Sequence, residues 1–141
     1  MKRPLYESKR DIAAEAAVAK KCGEYFVATM VKMPSLCSFD WLAVKGEAKA
    51  IIEIKCRTNA SGEYPTYLLS KKKFDENLSL ADKMKLKFML VVKFTDRVMW
   101  ISVSNERGEA QLGVGGREDR NDPADIEDCV YFNMGLFKEV T

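Results

Sequence analysis

The chain has 141 residues, of which 47% are hydrophobic and 31% charged, so we expect one compact domain over residues 1–141 with a genuine core. Histidine is absent, which excludes Ser-His and Cys-His nucleophilic schemes and histidine-liganded zinc. The four cysteines form no CxxC pair, and no stretch resembles a signal peptide or a membrane span. These features predict a cytoplasmic protein without membrane contact, in which any catalysis uses carboxylates, lysine and metal.

Charge is distributed unevenly along the chain. Residues 1–100 carry 19 Lys+Arg against 12 Asp+Glu, a balance of +7, whereas residues 101–141 carry 4 against 9, a balance of −5. The basic part is compatible with a polyanionic partner and equally with an ordinary solvated surface, and composition leaves both interpretations open.

The first predicted element is a helix from about Ser8 to Cys22, with a weak capping box at Ser8 and Asp11 and a stop at Gly23. Its acids Glu7, Asp11 and Glu15 recur every four residues, which is typical of a solvated stripe. Glu15 is enclosed by alanines in mid-helix, so it could instead point over a sheet edge. A strand is predicted over residues 24–33, ending at Pro34.

Residues 38–57 then form two apolar runs around Gly46 and Glu47, the pattern of a β-hairpin. With Gly46 and Glu47 as the loop, Lys45 faces Ala48 and paired positions sum to 93, which places Asp40 opposite Glu53. Like charges in such a pair repel, so we expect a compensating cation. Strand alternation puts Lys55 on the same face, and Mg²⁺ or Mn²⁺ held by the two carboxylates would resolve the conflict.

The residues after the hairpin, 58–66, contain Asn, Gly and Pro and predict a loop. Tyr64 and Tyr67 beside it could stack on bases or sugars, or could simply pack at a sheet edge. A helix is predicted from Ser70 to about Met84, with Ser70 as N-cap. Its first turn holds Lys71, Lys72 and Lys73, which oppose the helix dipole, so the three lysines indicate either a phosphate site or a merely soluble helix start.

Further strands are predicted at residues 86–94, buried on both faces and reached by a helical crossover, and at residues 97–103. A long surface excursion over residues 104–128 should end in a short strand at residues 130–134. Its Gly-rich cluster lacks the strand-turn-helix context of a nucleotide-binding loop.

The order helix, strand, hairpin carrying Asp and then Glu-x-Lys, helix, buried strand resembles the PD-(D/E)xK nuclease superfamily. The resemblance covers roughly residues 8–95 and implies an α/β, restriction-endonuclease-like αβββαβ core, a mixed central sheet flanked by helices. It implies Asp40, Glu53 and Lys55 as catalytic residues, with an acid from the preceding helix, best matched by Glu15. The corresponding metal ligands are Asp40, Glu53 and the backbone carbonyl of Ile54. Phe39 stands where the superfamily often has proline.

Metal-dependent hydrolysis of DNA phosphodiesters, in phage or bacterial recombination, repair or restriction, is therefore the leading prediction, with DNA as partner and a homodimer as the usual assembly in the superfamily. A catalytically inert DNA-binding module with the same fold and an RNA-directed hydrolase are the alternatives. The residues expected to contact nucleic acid are Lys71, Lys72, Lys73, Arg57 and Tyr67.

Overall fold

The computed structural model describes the backbone of residues 9–116 and 126–141 and the side chains of residues 12–113 and 128–141. The predicted capping residues Ser8 and Asp11, and the acid Glu7, fall outside the described side chains. The helices are α1, Lys9–Phe26, and α2, Lys71–Met84. The strands are β1 Thr29–Lys32, β2 Trp41–Lys45, β3 Glu47–Cys56, β4 Thr66–Ser70, β5 Lys87–Lys93, β6 Val98–Ser102, β7 Gln111–Gly116, β8 Ile126–Asn133 and β9 Lys138–Glu139.

Helix α1 continues past Gly23 to Phe26, so the predicted stop at Gly23 and the predicted strand start at residue 24 are wrong. Gly23 serves close packing instead, because a Cβ there would lie 3.0 Å from the carbonyl oxygen of Ala28. The chain turns at Val27, which adopts a positive φ of 54°, and only then extends into β1. Periodicity could not reveal this because the apolar residues of 24–33 fit either element.

A six-stranded mixed sheet forms the centre, with strand order β1-β2-β3-β5-β6-β9. β3 and β5 are parallel, whereas the other described pairs of this sheet are antiparallel. The parallel pair needs a crossover, which contains α2 and returns the chain to the sheet as predicted. The predicted αβββαβ core, with a mixed central sheet flanked by helices, is confirmed.

The sheet is covered on both faces, which explains why β3 and β5 read as continuous apolar runs. One face packs under α1, through Val18, Ala19 and Cys22 of the helix and Ile52 and Ile54 of β3. The opposite face, with Ile51 of β3, packs under α2 and a second sheet. Neither described helix combines the length and apolar character needed to cross a bilayer.

The second sheet has three strands in the order β4-β8-β7. Its strands β4 and β7 were not predicted: β4 begins at the end of the predicted 58–66 loop, and β7 lies inside the predicted 104–128 excursion. The Gly-rich cluster belongs to β7 rather than to a loop. Gly113 leaves room for a cross-strand ring, because a Cβ there would lie 1.8 Å from a ring carbon of Tyr131.

Candidate active site

The site lies at the open end of the β2–β3 hairpin. Trp41 pairs with Ile52 and Ala43 with Ala50, so paired positions sum to 93 as predicted. Asp40 lies one residue before β2, outside the paired residues, and its N–H donates to the carbonyl of Ile52 at 3.2 Å. Asp40 and Glu53 are near neighbours, because the negative charge of Asp40 acts on the Glu53 carboxyl, whereas their direct cross-strand pairing stays a prediction.

The hairpin tip differs from the prediction. Lys45 pairs with Glu47 around the single residue Gly46, which has a φ of 79°, whereas the predicted partner of Lys45 was Ala48. A register shift between Ala43 and Val44 absorbs this one-residue offset. The shift restores the predicted pairing for residues 41–43, the part of β2 nearest the acids.

Asp40 is held by the backbone of the opposite strand. Its Oδ2 accepts a hydrogen bond of 3.0 Å from the N–H of Ile54, which is the next residue after Glu53. This bond fixes the carboxylate at the end of β3. It also shows how the predicted ligand residue Ile54 contacts the site; the role of its carbonyl as a metal ligand stays a prediction.

Glu53 is the buried centre of the cluster, with only 2% of its surface exposed. The ammonium groups of Lys55 and Lys73 each lie 3.6 Å from its Oε1. Its Oε2 is buried without a hydrogen-bond partner among the described residues. Burial raises the pKa of Glu53 to about 7, with the negative charge of Asp40 adding to the rise and the two lysines opposing it.

Lys73 enters the site from the first turn of α2, a position that sequence periodicity did not indicate. Its Nζ donates to the carbonyl of Ser38 at 2.7 Å. The hydroxyl of Ser38 in turn donates to Oδ1 of Asn77 at 2.8 Å, and Asn77 is fully buried. Helix α2 thereby anchors the segment that presents Asp40. The feature of the sequence that could have indicated this is the i, i+4 spacing of Lys73 and Asn77, which places both on one side of α2 next to its apolar stripe.

The three predicted phosphate-binding lysines therefore have different surroundings. Lys71 pairs with Asp75 one turn along the helix, Lys72 is exposed, and only Lys73 reaches Glu53. Ser70 precedes the helix as predicted but makes no side-chain capping bond. The role of the lysines in binding nucleic acid stays a prediction.

Glu15 lies on the other face of the sheet. Its Oε1 accepts hydrogen bonds from Nε1 of Trp41 at 2.9 Å and from Nζ of Lys32 at 3.0 Å. Trp41 packs with the cluster on the α1 side of the sheet, whereas Lys73 of α2 approaches Glu53 from the opposite side. The structure thus brings Asp40, Glu53 and Lys55 together, whereas Glu15 contacts Trp41 and Lys32 instead. A catalytic role for Glu15 stays a prediction.

Arg57 and Tyr67, both predicted to contact nucleic acid, lie beside each other. The guanidinium carbon of Arg57 is 5.5 Å from the centroid of the Tyr67 ring. Tyr67 also packs edge-on against Phe94 and Phe137, so packing is one of its roles. Burial raises the pKa of Tyr67, and the positive charge of Arg57 opposes the rise.

The residues present fit a hard divalent cation. Among the described side chains, no three acids or cysteines cluster as a complete metal site. Mg²⁺, however, is commonly held by one or two carboxylates together with water and substrate phosphate oxygens. Asp40 and Glu53 supply two carboxylates, and Oε2 of Glu53 is a buried oxygen that still lacks a partner among the described residues.

The mixed sheet with this hairpin defines an α/β fold of the restriction-endonuclease type. The chain belongs to the family described as "Phage putative PDDEXK endonuclease", whose model matches residues 1–140, and this membership supports a nuclease function. Among eight matching chains of solved structures is Hjc, a Holliday junction resolvase from Archaeoglobus fulgidus, with a TM-score of 0.57. The match has 15% identity and covers 94% of this chain and 96% of Hjc, so the likeness concerns the fold. A comparison with curated proteins gave no match.

Proposed function

We propose that this protein is a DNA nuclease that hydrolyses phosphodiester bonds with the help of Mg²⁺ or Mn²⁺, and that it acts in phage or bacterial recombination, repair or restriction. The observation that carries the proposal is the convergence of Asp40, Lys55 and Lys73 on the buried carboxylate of Glu53. A buried charge cluster whose carboxylate oxygen lacks a partner among the described residues is typical of a functional site, whereas an ordinary surface ion pair is not.

Asp40 and Glu53 would hold the cation, with the carbonyl of Ile54 as a further ligand. Once bound, the cation supplies Lewis-acid activation of the phosphate and lowers the pKa of a bound water. The Ile54 N–H keeps the Asp40 carboxylate oriented, so little reorganisation is needed at this group.

The position of Lys55 supports a role for it on the attacking water. Hydrolysis removes a proton from water as the new P–O bond forms, and the departing alkoxide gains a proton as the old P–O bond breaks. The Lys55 side chain is 32% exposed beside an almost fully buried Glu53, so its ammonium reaches both the acids and incoming solvent. We assign Lys55 to positioning the attacking water and, once its amine is deprotonated, to accepting the proton that the water releases; solvent supplies the proton that the departing alkoxide gains. Lys73 offsets phosphate charge.

The substrate class can be tested with a panel of single-stranded, duplex and branched DNA and an RNA of the same sequence, with Mg²⁺, with Mn²⁺ or with a chelator. We expect cleavage of at least one DNA, only with metal. Binding of DNA without cleavage of any member would support the inert module, and preferential cleavage of RNA would support the RNA-directed alternative.

Replacing Lys73 by methionine should weaken DNA binding and slow cleavage. If Lys73 contacts a phosphate, its loss should reduce the slope of log K against log salt by about 0.9 for duplex DNA. The measurement is DNA affinity over a series of salt concentrations without metal. Lys83→Met, on the last turn of α2, is the matched control and should keep the wild-type slope. An unchanged slope in Lys73→Met would remove Lys73 from the proposed phosphate contacts.

A further inference from the structure

A pocket of about 400 Å³ opens beside the charge cluster. One wall follows the end of β3 and includes Arg57 and Asn59, and the other is the segment 64–68 that enters β4. Arg57 lies about 7 Å of strand beyond Lys55. Tyr67, in the pocket wall, lies beside Arg57, which is two residues along the chain from Lys55, so the pocket and the charge cluster adjoin each other.

The chemistry of the lining suits a flat, anionic ligand. Arg57 contributes the positive charge, and none of the described residues that line the pocket is an acid. The Arg57 guanidinium is already ordered over Tyr67, which lowers the entropy cost of presenting its plane to a ligand. Tyr64 is 58% exposed, so its ring is accessible for stacking, whereas Tyr67 is 7% exposed and its ring packs against other aromatic rings.

The backbone adds hydrogen-bonding groups. Strand β4 lies at the edge of its sheet and pairs with β8 on one side within the described part of the chain. The other edge leaves main-chain donors and acceptors beside Thr66 and Leu68, which line the pocket. An aromatic ring, a guanidinium and free main-chain groups are the means by which proteins hold an unpaired base and its phosphate.

We propose that this pocket binds one unpaired nucleotide of the DNA substrate, with its base on Tyr64 and its phosphate at Arg57. The inference rests on the proposed nuclease function and narrows its substrate class from DNA in general to DNA with an unpaired nucleotide. The preferred substrates carry an unpaired nucleotide next to the scissile phosphate, as at a flap, a branch or a single-stranded end. Fully paired DNA contacts the charge cluster but leaves the pocket empty, because its bases remain stacked in the duplex.

Metal-free binding tests the pocket without requiring cleavage. The probe is a duplex with one unpaired 2-aminopurine, compared with the same duplex fully paired, and the readouts are affinity and 2-aminopurine fluorescence. Stacking of one base on an aromatic ring supports roughly a tenfold preference for the DNA with the unpaired nucleotide. We expect this preference in the wild type and in Tyr64→Phe, with the fluorescence quenched on binding.

Tyr64→Ala should lose the preference and the quenching and keep its affinity for the fully paired duplex. Leu112→Ala removes an exposed apolar side chain from β7, outside the pocket, and should behave as wild type. Equal affinities of the wild type for the two DNAs, or an unchanged preference in Tyr64→Ala, would overturn the proposal. Failure of the nuclease proposal is seen separately, as DNA binding with metal present but without cleavage.

Discussion

Lys55→Met should lower the rate of DNA cleavage by about 10²- to 10⁴-fold, the range that a positioned proton-transfer group contributes. Methionine keeps most of the length and the apolar stem of lysine but removes the ammonium that lies 3.6 Å from Oε1 of Glu53. Because the Lys55 side chain is 32% exposed, the fold should tolerate the change. The measurement is single-turnover cleavage at saturating protein, with metal-free DNA affinity measured in parallel.

The matched control is Lys45→Met, at the opposite end of the same hairpin and exposed. It should cleave at the wild-type rate. Asp40→Asn is the companion variant, since an amide oxygen can still accept from the Ile54 N–H while the charge is lost. It should lose activity to a similar extent with the fold intact. Wild-type cleavage by either Lys55→Met or Asp40→Asn would show that the reaction takes place elsewhere.

The second large effect concerns stability and pH. In the metal-free protein the pKa of Glu53 is about 7, against an ordinary value of 4.5. Between pH 4.5 and pH 7 the folded protein therefore keeps a proton on Glu53 that the unfolded chain has already released. The stabilisation of the folded state that comes from the raised Glu53 pKa is fully present below pH 4.5 and is lost as pH rises through about 7. One pKa unit corresponds to about 1.4 kcal/mol, so the whole change is about 3 kcal/mol.

Glu53→Gln removes this titration, so the free energy of unfolding of the variant relative to wild type should rise with pH by about 3 kcal/mol, most of it between pH 5 and pH 8. The measurement is urea unfolding of both proteins at a series of pH values in the presence of a chelator. Glu76→Gln, which removes an exposed acid on α2, is the control and should follow the wild-type profile. Parallel profiles for Glu53→Gln and wild type would show that Glu53 is ionised in the folded protein throughout this range.

Much of the architecture followed from local patterns. The continuous apolar runs of β3 and β5 required burial on both faces, and the helix between them supplied the crossover that a parallel pair needs. The hairpin sequence also predicted the register of Trp41 with Ile52, which brings Asp40 and Glu53 near each other. The end of α1, strand β4 and strand β7 were missed, because short apolar segments near glycine fit helix, strand or loop equally well without their tertiary partners.

For the site, the amino-acid sequence alone determined which groups could do the chemistry: with no histidine, two acids and a lysine on one hairpin face were the available set. Tertiary structure decided how they are used. The bulge near the hairpin tip restored the predicted register next to the acids, and α2 brought Lys73 and the buried Asn77 to the segment carrying Asp40. It also placed Glu15 on the opposite face. Strand alternation is local and can be counted along a sequence, whereas the docking of a helix onto a sheet depends on contacts between residues distant in the chain.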